Sequence, residues 1–263
     1  MRAPCDKTYT CKTRRRSYSY DRKLRKDVTV SRRGTLTSER VIAAAAAVAD
    51  RSGLAGVSMR SVGGELGVEG MSLYHHVSSK DALLDALAEW AIAKIDLPPP
   101  DAPWREAMET RARSARAVFV AHPWSIAMIE SRPAPSAALL THHDRVLEWL
   151  FAAGFTAPLA TLAFSTVDAF VYGFALSETN LPFPPSPGAE AEFAATVSPD
   201  PGAYPNLSRS LTELLNSGDY TYPSEFDNGL TLILDAIQAQ LDARDRGVAA
   251  ARDALHRLGD VAH

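Results

Sequence analysis

The sequence predicts an all-α protein with a small N-terminal head and a larger helical body. Apolar residues recur at three- and four-residue spacing along most of the 263 residues, and no segment alternates apolar and polar side chains as a strand would. The run Leu97-Pro98-Pro99-Pro100 then divides two such helical stretches. With 46% hydrophobic residues the chain has enough apolar mass for a head and a separate body core. Three units are expected: a basic flexible arm (1–33), the head (34–97) and the body (98–263).

From Thr37 the pattern is regular. Val41, Ile42, Ala45, Val48 and Ala49 share one helical face that ends near Gly53. Ser58 fits an N-cap for a short helix carrying Val62 and Leu66, and Gly67 follows where a left-handed residue closes helices. A second short helix is expected at about Glu69 to His75. Ser78-x-x-Asp81 reads as a capping box for a longer helix with Leu83, Leu84, Leu87, Trp90 and Ile95. Gly63-Gly64 sits inside the first short helix, each glycine costing about 1 kcal/mol relative to alanine, which predicts a softened head.

Beyond Pro103, helices are expected at about Trp104 to Ala121, Pro123 to Glu130, Ser136 to Ala153 and Ala157 to Thr179, the last capped by Thr156 with Pro158 in its first turn. Seven prolines between 181 and 205 (Pro182, Pro184, Pro185, Pro187, Pro199, Pro201, Pro205) predict a long mobile loop. Order returns near Asn206. A last helix from about Ser224 carries Phe226, Leu230, Ile233, Leu234, Ile237 and Leu241 near heptad spacing. The tail from Asp245 to His263 is only weakly amphipathic, and no order is expected of it.

The net charge of −3 hides an asymmetry. Residues 1 to 33 carry twelve Lys or Arg against Asp6, Asp21 and Asp27, a balance of +9, and the remainder carries −12. Such an arm suits phosphate binding with counterion release; it equally suits a solvated tail. Cys5 and Cys11 lack partners at zinc spacing, and neither a secretory leader nor an uninterrupted apolar run of 18 residues occurs, so a cytoplasmic location is expected. Gly-x-Ser-x-Gly, a phosphate-cradling glycine loop and His-Glu-x-x-His are all missing from the sequence, which disfavours an enzyme.

The segment from Val57 to Leu87 has the parts of a helix-turn-helix, its second short helix flanked by Tyr74, His76 and Lys80. Ser72 can hydrogen-bond a base edge and Met71 can touch a thymine methyl. Over about residues 36 to 95 the chain resembles the TetR family, through Leu73-Tyr74-x-His76-Val77-x-x-Lys80-x-x-Leu83-Leu84. The body resembles the tetracycline-repressor-like class through Arg132-Pro133, Ala153-Gly154-Phe155, Tyr172-Gly173-Phe174 and Phe226-Asp227-Asn228-Gly229-Leu230. The resemblance implies a homodimer that binds palindromic double-stranded operator DNA and releases it when a small-molecule effector enters the body. It places Arg60, Ser72, Tyr74, His76 and Lys80 at DNA. The histidine that binds magnesium in tetracycline repressors corresponds here to Met128, so the resemblance does not extend to a magnesium chelate; no metal or other cofactor is expected.

The bland alternatives stand beside these readings. Leu73, Val77, Leu83 and Leu84 read as core, and Tyr74 as either a phosphate contact or core. For the effector the candidates are His122, Trp124, Met128, Phe164, Asp168 and Tyr172, of which the aromatic and methionine side chains also suit plain core. Asp168 on an apolar face is either paired with an arginine or a ligand anchor. The His142-His143-Asp144 run reads as a solvated face. The Ala157–Thr179 and Ser224–Arg244 helices are expected to form a four-helix bundle with a second copy. A ligand-independent architectural DNA-binding protein is the rival function, and no membrane partner is expected.

Overall fold

The computed structural model describes residues 35–131, 135–183, 188–216 and 220–260, with side chains through 249. The basic arm, both cysteines, Arg132-Pro133 and Pro184, Pro185 and Pro187 lie outside the described residues. Every regular element among those described is helical.

The head begins with α1 (Ser38–Ser52), where the Thr37 hydroxyl accepts from the Arg40 N–H, and it ends at Gly53, whose φ is +66°. Its alanines do the packing: Val41 and Ala44 through Ala49 are all buried, so neighbouring helices can come close. Ser58 caps α2 (Met59–Leu66) in a reciprocal box with Ser61, and Gly67 closes it at φ +71°. The expected second short helix is present at Gly70–His75 but wound as a 3-10 helix. α3 (Lys80–Ile92) is capped one residue later than expected. Ser79, extended at φ −156° and ψ 171°, accepts from the Ala82 N–H, which shifts Asp81 from the third to the second position of the first turn, where the helix dipole favours it.

The body comprises α4 (Trp104–Ala121), α5 (Trp124–Glu130), α6 (Ala137–Ala152), α7 (Ala157–Thr179), α8 (Ala189–Val197), α9 (Pro205–Asn216) and α10 (Tyr222–Asp260). The proline run is pinned to it by a hydrogen bond from Trp149 Nε1 to the Pro99 carbonyl. α4, α7 and α10 form the central layer around Trp104, Met108, Phe119, Trp149, Val167, Val171, Phe226, Leu230 and Leu234.

Three expectations need correction here. The proline-rich stretch holds α8, because residues 188 to 198 are free of proline and leave room for two turns between Pro187 and Pro199. Helix α10 continues through the weakly amphipathic tail to Asp260. Its seam of Phe226, Leu230, Leu234, Ile237 and Leu241 is buried against its own chain, chiefly α7, so those residues complete the body and do not face a second copy. What α7 and α10 leave exposed is a different stripe: Leu162, Thr166, Ala169, Gly173 and Leu176 on one, Leu232, Ala236, Ala239 and Ala243 on the other.

Candidate functional site

The segment Gly70–His75 lies directly on α2, backbone against backbone. A Cβ on Gly63 would fall 2.8 Å from the Val68 carbonyl oxygen and 2.9 Å from the Gly70 nitrogen, and one on Gly70 would fall 2.9 Å from the Met59 carbonyl oxygen. Gly63 therefore tightens the motif, the reverse of the softening that its helix propensity suggests. Gly64 meets nothing within 4 Å. Leu73 is fully buried and Val77 nearly so, anchoring the segment in the head core.

With Leu73 inward, the neighbours point out. Met71 is 73% exposed and Tyr74 46%, so Tyr74 is not core. Arg60 on α2 and Lys80 at the start of α3 are also exposed, while Ser72 and His76 are half-buried. The Ser38 hydroxyl donates to the His76 carbonyl at 3.2 Å and ties the start of α1 to the end of the segment. The six residues proposed for DNA thus lie on one short stretch of helix, its C-terminal junction and the two flanking helices.

The six effector candidates separate into two places. His122, Trp124 and Met128 meet the head: Trp124 and Met128 are members of the head core, and His122 and Trp124 both hydrogen-bond Asp50 of α1. Only His122 and Pro123 separate α4 from α5, and α5 packs on α3 and reaches Asp50 of α1, which a pattern of apolar residues does not reveal.

Phe164, Asp168 and Tyr172 line up on α7 and face α4 and α6. Arg111, buried on α4, donates from Nη1 to Asp168 at 2.6 Å and from Nε to His142 Nε2 at 2.8 Å, and its guanidinium lies over the Phe164 ring. His143 stands edge-on to Phe164 at 4.6 Å, and Tyr172 edge-on to Phe119 at 5.3 Å. Burial, then the Arg111 charge and His143, push the His142 pKa down to about 3, so this ring is a neutral acceptor. Burial also lowers His143, and burial with the Asp168 and Glu130 carboxylates raises Tyr172.

His142 is thus buried, not part of a solvated face; only Asp144 of that run is exposed. The signal missed in the sequence was Arg111, a charge among Ala107, Met108, Ala112 and Ala115 on one helical face, which required a partner. A second pair, half-buried Arg116 with buried Glu178 at 2.7 and 2.8 Å, has its guanidinium over Phe174 and Phe226 and fastens α4 to α7.

Comparison with known proteins agrees with this layout. The family model "Bacterial regulatory proteins, tetR family" matches residues 41–87, and "Tetracyclin repressor-like, C-terminal domain" matches residues 97–241. The HTH-type transcriptional repressor DrrR1 of Streptomyces coeruleorubidus is 34% identical over 233 residues, covering 82% of each chain. The class A tetracycline repressor from transposon 1721 of Escherichia coli is 32% identical over 201 residues, 75% of this chain and 88% of the relative. Among solved structures, ActR of Streptomyces coelicolor in complex with actinorhodin superposes with a TM-score of 0.61 at 25% identity, over 79% of this chain and 99% of the other.

Proposed function

Because the chain belongs to the TetR family of bacterial transcriptional regulators, we propose that it is a repressor that holds a palindromic operator as a homodimer and releases it when a small molecule enters the body. Its role is regulation rather than catalysis, and it acts on double-stranded DNA in the cytoplasm.

The observation that carries the reading is the outward face of the Gly70–His75 segment. Met71 and Ser72 lie near its start, the end that a recognition helix turns toward base edges in the major groove. Tyr74, His76, Lys80 and Arg60 surround it and suit phosphate, so they position the segment while Met71 and Ser72 read.

The dimer is supported by what α7 leaves uncovered. Only about a third of the residues in its most apolar stretch are fully buried within the chain. The exposed Ser165, Ala169 and Gly173 follow one another at four-residue spacing, small enough for a second helix to approach closely. The exposed stripe on α10 lies beside it, and the two together offer a self-complementary four-helix face.

For the effector, Phe164, Tyr172, Phe119 and His143 supply aromatic faces around the polar trio Arg111, His142 and Asp168. That lining suits an aromatic molecule bearing oxygen functions, and ActR, bound to actinorhodin in its crystal structure, supports a body of this build accepting a small molecule. His122, Trp124 and Met128 lie where body and head meet, so they would transmit binding of the effector to the head.

Selection of duplexes from a randomised pool with the full chain tests the proposal. An inverted repeat with half-site centres about 10–10.5 base pairs apart, or a multiple of that, is expected. A pool that retains no sequence preference would favour the architectural reading.

A further inference from the structure

Asp50 stands where a helix least favours a carboxylate. It lies in the last turn of α1, at the negative end of the helix dipole, and aspartate is among the poorer helix formers. Two groups from across the joint hold it. His122 Nδ1 lies 2.8 Å and Trp124 Nε1 2.7 Å from the same carboxylate oxygen, Oδ1. Since a carboxylate oxygen accepts, His122 Nδ1 donates its proton to Asp50, while Nε2 is buried without a hydrogen-bond partner.

The donors are themselves fixed. The His122 N–H closes α4 on the Val118 carbonyl, and the His122 carbonyl accepts from both the N–H and the hydroxyl of Ser125. Trp90 from α3 stands edge-on to His122 at 4.9 Å and stacks over Trp124 at 6.2 Å. Trp124 and Met128 complete the head core while Ile129 of the same helix is buried in the body core, so α5 is shared between the two.

We propose that Asp50 is a latch, the positioning residue through which a displacement of α5 reaches α1 and then, through α2, the recognition segment. This rests on the head being the unit that reads DNA. Both donors share one oxygen and flank the α4–α5 junction, so a shift of that junction by about an ångström weakens both hydrogen bonds together. The Asp50 side chain is 26% exposed, and water can take over the carboxylate as the latch opens, so no charge is stranded.

Two measurements test it. The first needs no DNA. Helix propensity and the helix dipole both say that Asp50→Ala should raise the melting temperature of the full chain; the latch says that it lowers it. Asp50→Asn, which keeps an oxygen in place, should recover most of the loss. Trp124→Phe removes the N–H and keeps the ring stack; combined with Asp50→Ala it should lower the melting temperature by much less than the sum of the two.

The second is hydrogen exchange in Trp124–Glu130, with and without the duplex selected above at saturating concentration. In the wild type, DNA should slow this exchange several-fold. In Asp50→Ala the duplex should still bind, while α5 exchanges as in the free protein. An Asp50→Ala chain that melts above the wild type, or whose α5 is protected by DNA as well as the wild type's, overturns the latch. A wild type that binds no duplex overturns the DNA-reading assignment instead, and the melting temperatures then decide the latch alone.

Discussion

Gly63 and Gly70 leave no room for a side chain between them: a Cβ on the first would sit 2.9 Å from the nitrogen of the second. Gly64, one residue on, faces open space. Adjacent glycines therefore have opposite expected effects. Gly64→Ala should stabilise the chain by about 0.5–1 kcal/mol, and Gly63→Ala should destabilise it by about 1–3 kcal/mol despite the same gain in helix propensity. Urea unfolding of both variants checks the pair. Equal shifts of one sign would mean that the close approach does not govern the motif.

Lys80 and Tyr74 are assigned to phosphate, Ser72 to a base edge. Lys80→Ala should weaken the selected duplex and a scrambled one by similar factors and reduce the salt slope by about 1. Ser72→Ala should instead lose about 1–3 kcal/mol at particular base pairs and leave the slope alone. Fluorescence anisotropy over a salt series separates the two; an unchanged slope for Lys80→Ala would remove it from the phosphate contacts.

His142 makes the body sensitive to acid. Its pKa is about 3 in the fold against 6.5 in the unfolded chain, so between these values the unfolded state binds the extra proton. Stability should be full above pH 6.5 and fall as pH drops through that window, with a slope of up to about 1.4 kcal/mol per unit from this residue. His142→Gln keeps an acceptor for Arg111 and cannot take up the proton. Urea midpoints at pH 4.5, 5.5 and 6.5 should decline less steeply in the variant; parallel declines would place the sensitivity elsewhere.

The head itself is acidic: residues 35 to 97 carry Arg40, Arg51, Arg60, Lys80 and Lys94 against eight acids. The +9 balance of residues 1 to 33 should offset this on DNA. Removing those residues should cost affinity most at low salt and flatten the salt dependence by several units. Unchanged affinity and slope in the shortened chain would make the arm a passenger.

The head was legible because its signals are local. Ser58, Gly67 and the order Leu73, Tyr74, Val77 and Lys80 fix caps and faces within a few residues. The body was legible as helices but not as contacts. Heptad spacing in α10 says that Phe226, Leu230 and Leu234 share one face, not which neighbour covers it, and the cover is the chain's own α7. Likewise Arg111 and Asp168 are 57 residues apart, and only the packing of α4 on α7 makes them one pair. His122 and Trp124 looked like pocket residues because their partner, Asp50, is 72 and 74 residues upstream on a helix of another unit.

The central claim is that two copies, joined through the exposed stripe of α7 and α10, hold one operator. Sedimentation on the selected duplex tests it most directly, with Ala169→Glu placing a charge in the middle of the α7 stripe. The wild type should sediment as a dimer, put two chains on one inverted repeat, and bind the full repeat far more tightly than a half-site. Ala169→Glu should keep its stability within about 0.5 kcal/mol, since the site is on the surface of the single chain, yet sediment as a monomer with only half-site affinity. A wild-type chain that sediments as a monomer and binds a half-site as tightly as the full repeat would contradict the account.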